Sequence, residues 1–260
     1  MATTGPAPEP SFLPGRATVA PRSVRSLVGL SMRRRGGYRS LTGVVSVLVV
    51  AALAMLAFPA LTDIFGAHRQ VVIESKFSQP AFKTVYRDHR VAVGDGITRL
   101  VIDNSRVSVN VLVVEGTTVA ALRAGAGHYE HTPYPCGQGN VGIAGHRTTY
   151  GRPFSRLDYM RPGDTVTLTT PIGQCVYQVV PGADVIGEPT GAGTLNDGAH
   201  NPFFVYPNEQ SVVSAAGELG TGYWLTLTSC NPPGLATQRI VLRLKMISCK
   251  GPSCPKEVPA

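Results

Sequence analysis

From Leu41 to Leu61 the chain reads LTGVVSVLVVAALAMLAFPAL, 21 residues without a charge. A helix rises 1.5 Å per residue, so this run covers roughly 30 Å, the thickness of a hydrocarbon core. Buried core helices are usually shorter and lack a basic flank. A cleaved leader has an apolar region of about 7–15 residues placed nearer the N-terminus. The run therefore predicts a retained transmembrane helix over 41–61. Arg33, Arg34, Arg35 and Arg39 precede it and Asp63 follows it. The excess of basic residues before the span places the N-terminus in the cytoplasm and residues beyond about 62 outside the cell.

The same flank explains the net charge of +8. Residues 1–40 hold seven arginines against Glu9, so most of the excess is a basic tail, expected to be disordered and cytoplasmic. Downstream the charges nearly balance and no basic run is interleaved with aromatics, which excludes a nucleic-acid face. With 43% apolar and 15% charged residues, the rest suits a packed core. Residues 62–96 show weak amphipathic character and are expected to form an extracellular linker with a helix. From residue 97 to 260 the pattern is β-rich. TRLVIDNSRVSVNVLVVEG alternates as a strand pair, and TVAALRAGAGHY suggests a short helix that stops at Gly125. GNVGIAG reads as a buried strand, and DTVTLTT with QCVYQVV as a hairpin across Pro171, Ile172 and Gly173. YWLTLTSC and QRIVLRLKMI read as two further strands, and a short helix is expected near 209–218. Many short strands with few helices predict a closed barrel or a sandwich.

Five cysteines in an oxidising exterior leave one thiol unpaired. Cys249 and Cys254 enclose only four residues and suit a local loop closure, which leaves Cys136 to pair with Cys175; four cysteines permit three pairings. No two cysteines show the two-residue spacing of a zinc site, and the acidic residues Glu188, Asp197, Glu209 and Glu218 are scattered, so neither a metal nor a cofactor is expected. Cys230 is the remaining thiol. It stands where an apolar strand ends and NPPG begins a turn, at a barrel rim that a substrate can reach. A thiol with an ordinary pKa near 8.5 is mostly protonated at neutral pH and needs a base or a cation nearby. Arg239 lies nine residues on, at the start of the next strand, where antiparallel pairing brings it to the same rim. Of the six histidines (68, 89, 128, 131, 146 and 200), none is compelled by spacing. His146 has the best setting, at the end of a buried strand and after Gly145.

Family resemblance decides among them. The segment Thr226-Leu227-Thr228-Ser229-Cys230 resembles the Thr-Leu-x-Thr-Cys signature of sortases, the membrane-anchored cysteine transpeptidases of Gram-positive bacteria, with Ser in place of the usual Thr. The match runs from about 98 to 247 and keeps the order His, Cys, Arg. It implies a mainly β fold, a closed sortase-type barrel of about eight strands with a few short helices behind one transmembrane helix. It also implies His146, Cys230 and Arg239 as the catalytic set, with Thr228, Ser229 and Asn231 beside the substrate. GAGHYEHT, GNVGIAGHRTTYGRPFSRLDYMRPGD and TLTSCNP look most like class E, the actinobacterial housekeeping type. In that class a tyrosine matching Tyr129 is implicated in recognising Ala at the second position of a Leu-Ala-x-Thr-Gly signal. The insertion carrying Cys136 is outside the usual pattern.

The resemblance implies cleavage between Thr and Gly of a C-terminal sorting signal in secreted proteins. Transfer then goes to an amine of a cell-wall peptidoglycan precursor, through a thioacyl-enzyme. Two alternatives stand beside it. One is a pilin-polymerising sortase of another class, in which residues 70–96 would serve as a lid. The other is a catalytically silent, membrane-tethered scaffold domain.

Overall fold

A computed structural model describes residues 5, 24–182, 201–214, 222–252 and 254–255. Helix α1 runs unbroken over Val24–Phe77, followed by α2 at Phe82–Arg87. Its stretch Leu41–Phe77 is the helix, among the described residues, that is long and apolar enough to cross a membrane. The helix differs from the sequence expectation at both ends. It begins at Val24, inside the segment read as a disordered tail, because Leu, Met and Arg in that segment are strong helix formers. It also continues well past Leu61, because its later turns have a surface to pack on. Ile73, Phe82, Tyr86 and Val91 are all buried, so much of the expected linker belongs to the core of the β domain. Residues 1–4 and 6–23 of the expected tail lie outside the described residues.

The β domain contains β1 (Gly96–Asp103), β2 (Ser108–Glu115), β3 (Gly127–His128), β4 (Gly139–Gly145), β5 (Thr165–Thr170) and β6 (Gly173–Val179). After them come β7 (Phe203–Val205), β8 (Tyr223–Asn231) and β9 (Gln238–Lys250). The strand order is β6-β5-β1-β2-β3-β4-β8-β9-β7, and a further β6–β9 pairing closes the sheet. Eight strands therefore form a closed barrel, and β7 pairs with β9 at Arg239–Val241. The length of β9 makes this possible: its far half meets β6 while its near half meets β7. The hairpin across Pro171–Ile172 and the short helix α3 (Val119–Leu122) follow the sequence reading. The helix expected near 209–218 is a single 3-10 turn at Ser211–Val213, and residues 215–218 lie outside the described ones.

Strand alternation divides the side chains of the barrel wall. Val141 and Ile143 of β4, Leu225 and Leu227 of β8, and Ile240, Leu242 and Leu244 of β9 fill the interior with Leu100, Ile102, Leu168 and Tyr177. Trp224 and Val241 face outward, into a smaller cluster with Phe203, Val205 and Val212. The disulfide Cys136–Cys175 ties the loop after β3 to β6, and Cys249–Cys254 closes the loop after β9. Cys230 is the free cysteine.

Candidate active site

Three neighbouring strands bring the expected catalytic residues to one level. β4 runs parallel to β8 with Gly145 opposite Ser229, so His146, the next residue, reaches the level of Cys230. β8 runs antiparallel to β9 with Cys230 directly opposite Arg239. Adjacent strands lie about 4.8 Å apart, so the thiol sits between the imidazole position and the guanidinium position on consecutive strands. Alternation places all three outward. Cys230 follows Thr226 and Thr228 on the outer face, and Arg239 precedes Val241 on it.

Outside this face lies a groove of about 690 Å³, lined by Tyr129, Glu130, Pro207, Val212, Thr228 and Arg239 among others; of the three expected catalytic residues Arg239 is in its wall, while His146 and Cys230 are not. Tyr129 and Thr228 meet across it, with Oη and Oγ1 3.0 Å apart. None of the lining residues comes from 70–96. The other two residues expected to touch substrate have different partners. Ser229 alternates inward, is buried, and donates from Oγ to the Gly145 carbonyl at 2.7 Å, which fastens β8 to β4 at the active level. Asn231 is held on both sides of its amide: Nδ2 donates to Gln238 Oε1, and Oδ1 accepts from Arg147 Nη1, both at 2.7 Å. Arg239 donates from Nη1 to the carbonyls of Ala236 and Gln238, bracing the β8–β9 turn that bears it.

Several residues that matter to this geometry were not singled out in the sequence. Arg147 is buried beside His146 and reaches the end of β8, donating to Asn231 and, at 3.4 Å, to the Cys230 carbonyl, while Nη2 lies 3.1 Å from Asp158. It fixes the strand end bearing the base to the strand end bearing the thiol. The basic residue next to a histidine in GHRTTYG was the available signal. A second network stands behind Tyr129. The fully buried His128 contacts Glu115 through Nδ1 at 2.9 Å. Its Nε2 faces the Pro133 carbonyl at 2.9 Å and Thr132 Oγ1 at 3.0 Å. Thr132 in turn donates to the Tyr129 carbonyl.

His146 is half-buried, and its ring lies 5.2 Å from that of Tyr150. Burial, and secondarily the Arg123 charge, hold its pKa below the ordinary histidine value, so the neutral imidazole is favoured. Gly145 leaves room beneath this strand end, since a Cβ there would stand 2.5 Å from the Phe154 ring. The loop then turns back, with Phe154 N–H donating to the His146 carbonyl. A neutral base, a thiol and a fixed cation on one rim, beside an open groove, form a set able to carry out acyl transfer.

Comparison with known proteins places the chain in a family. Sortase SrtE1 of Streptomyces coelicolor is 29% identical over 149 residues, 55% of this chain, and Sortase D of Bacillus subtilis is 30% identical over 80 residues, 31% of this chain. The chain spans 38% and 39% of the lengths of those two relatives. Among solved structures, the SrtF sortase from Corynebacterium diphtheriae superposes with a TM-score of 0.52 at 26% identity, covering 65% of this chain and 93% of that one. A sortase-domain profile matches residues 100–247, more than half of the sequence and all of the strands that carry the site, and the chain belongs to the sortase family.

Proposed function

We propose that this protein is a membrane-anchored cysteine transpeptidase of the class E type. It would cleave a Leu-Ala/Pro-x-Thr-Gly signal between Thr and Gly and transfer the new C-terminus to a cell-wall amine. The observation that carries the reading is the register that sets Cys230 of β8 opposite Arg239 of β9 and Gly145, the residue before His146, opposite Ser229. The identity to Sortase SrtE1 and the motifs around Tyr129, His146 and Cys230 support class E. Arginines before the apolar run and Asp63 after it support an extracellular barrel.

The chemistry follows from the groups. The neutral His146 imidazole takes the Cys230 proton as sulfur attacks the Thr carbonyl carbon. Arg239 stabilises the resulting oxyanion from the far side of the thiol. The Thr–Gly C–N bond then breaks, and the imidazolium gives its proton to the departing glycine amine. Burial beside Arg123 disfavours that imidazolium, which makes it a stronger acid at this step. The thioester left on Cys230 is attacked by the acceptor amine, whose proton passes to His146. The C–S bond breaks and the thiol is restored. A pilin-polymerising class would call for a lid over the groove, and residues 70–96 contribute nothing to its lining.

The test is the full-length protein in detergent micelles with Leu-Ala-x-Thr-Gly and Leu-Pro-x-Thr-Gly peptides, with and without an amine acceptor. Cleavage, a product shifted in mass by the acceptor, and no turnover by Cys230→Ala are the expected results. Undiminished turnover by Cys230→Ala would overturn the reading. A product mass indifferent to acceptor would reduce the enzyme to a hydrolase.

A further inference from the structure

The loop after His146 contains three consecutive residues in the left-handed region: Tyr150 at φ 52°, Gly151 at 77° and Arg152 at 47°. Glycine adopts this conformation freely; tyrosine and arginine do so at a cost and need surroundings that hold them there. Those surroundings come from α1. Asp63 uses both carboxylate oxygens on this turn: Oδ1 accepts from Gly151 N–H at 2.9 Å and Oδ2 pairs with Arg152 Nη2 at 2.8 Å. One helical turn on, Gly66 brings the helix against the turn's backbone. A Cβ at Gly66 would lie 3.2 Å from the Tyr150 carbonyl carbon. Phe65 meets the Tyr150 ring edge-on at 6.3 Å.

Tyr150 is the link to the active site. Its ring stands 5.2 Å from the His146 ring, and the Arg123 guanidinium lies 5.9 Å from its centroid. The helix itself is seated independently of the turn. Gln70 replaces a missing strand partner, donating to the Leu112 and Ala124 carbonyls at 2.9 and 2.7 Å and accepting from Leu112 N–H at 2.8 Å. Between helix and barrel a cavity of about 470 Å³ opens, with Asp63, Gly66, Tyr150, Gly151 and Arg152 in its wall. The turn therefore lacks continuous packing on that side, and a few discrete contacts hold it.

We infer that α1, the helix bearing the apolar run, is a positioning element for the catalytic base: Asp63 and Gly66 clamp the Tyr150–Arg152 turn so that Tyr150 sets the His146 imidazole. This rests on the transpeptidase reading and adds that the membrane-proximal helix controls the proton-transfer step. Asp63 stands two residues beyond the end of the apolar run, so a tilt of the helix at the bilayer surface reaches the turn through these contacts and the base through Tyr150.

The experiment uses the full-length protein in detergent micelles, comparing wild type, Asp63→Ala, Asp63→Asn and Gly66→Ala by steady-state kinetics and thermal unfolding. NMR titration of the His146 ring is the readout independent of turnover. Misplacing a base by about an ångström costs on the order of 10–100-fold, so kcat in Asp63→Ala is expected to fall by that order while KM stays within about twofold. The His146 titration midpoint moves with it. Asp63→Asn keeps an acceptor for Gly151 N–H and falls between wild type and Ala; it also decides the matter if Asp63→Ala unfolds. Wild-type kcat and titration in both Asp63→Asn and Gly66→Ala would overturn the inference, and so would a rise in KM at unchanged kcat. Turnover persisting in Cys230→Ala would instead remove the transpeptidase reading, so the two failures are distinguishable.

Discussion

His128 and His146 stand at the ends of neighbouring strands of one barrel, one on β3 and one just after β4, and their surroundings assign them opposite work. His128 ends β3, is fully buried, and has both ring nitrogens committed to Glu115, Thr132 and the Pro133 carbonyl. His146 follows β4, is half-buried, and among the described residues neither of its ring nitrogens has a hydrogen-bond partner. A ring with its proton sites filled holds structure; a ring with both open beside a thiol can move protons. His128 pairs with the Glu115 carboxylate, whereas burial and, secondarily, the Arg123 charge hold the His146 pKa below the ordinary value. The lesson is that histidine identity and strand position do not distinguish a base from a strut; the fate of the two nitrogens does.

The comparison breaks most sharply under alanine. His146→Ala is expected to lower kcat on a sorting-signal peptide by on the order of 10³-fold with little change in Tm. His128→Ala reverses the pattern. It leaves Glu115 buried without its partner and opens a void, costing roughly 3 kcal/mol, and a melting curve should show the drop. Folded His128→Ala should keep most of its kcat. If His128→Ala lost turnover at unchanged Tm, or His146→Ala unfolded with no specific loss of rate, the two assignments would have to be exchanged.

A smaller effect sharpens the same contrast at the groove. The His128 network holds the chain that presents Tyr129, and Tyr129 Oη meets Thr228 at 3.0 Å. Tyr129→Phe removes that contact while keeping the ring, a change of about 1 kcal/mol, or roughly fivefold. It is expected in KM and in the Ala-to-Pro preference at the signal's second position, with kcat nearly constant. Equal ratios for the two peptides in mutant and wild type would remove Tyr129 from recognition.

The barrel and the pairing of Cys230 with Arg239 were legible because both rest on short-range patterns, whereas His146 was singled out by family resemblance and not by spacing. Alternation in residues 98–116 and 223–246 gave the strands, and a nine-residue separation between Cys230 and Arg239 fits one antiparallel hairpin. The protein partners of Ser229 and Asn231, both expected beside the substrate, were illegible for a physical reason: adjacency to the nucleophile in sequence says nothing of which face a residue takes. Alternation sends Ser229 inward, and Arg147 with Gln238 claims Asn231. The length of α1 was illegible because tertiary docking extends it. Gln70 bridging Leu112 and Ala124, and Asp63 reaching Gly151, are contacts over 42 to 88 residues that no local period announces.

The smallest expected effect concerns the charge beside His146. Burial lowers the His146 pKa first, and Arg123 adds to it. The unfolded chain, with an ordinary histidine near 6.5, then binds more protons than the folded one in the interval below that value. His146 therefore contributes a loss of stability as pH falls through that interval, and none above it. Arg123→Gln removes the secondary cause and leaves burial in place, so the His146 midpoint should rise towards the ordinary value without reaching it. The interval of acid destabilisation narrows accordingly, and the acid limb of kcat/KM moves to higher pH in the same direction. A rise of the His146 midpoint at unchanged Tm assigns the effect to the guanidinium beside the Tyr150 ring, and an unmoved midpoint in Arg123→Gln would remove Arg123 from it.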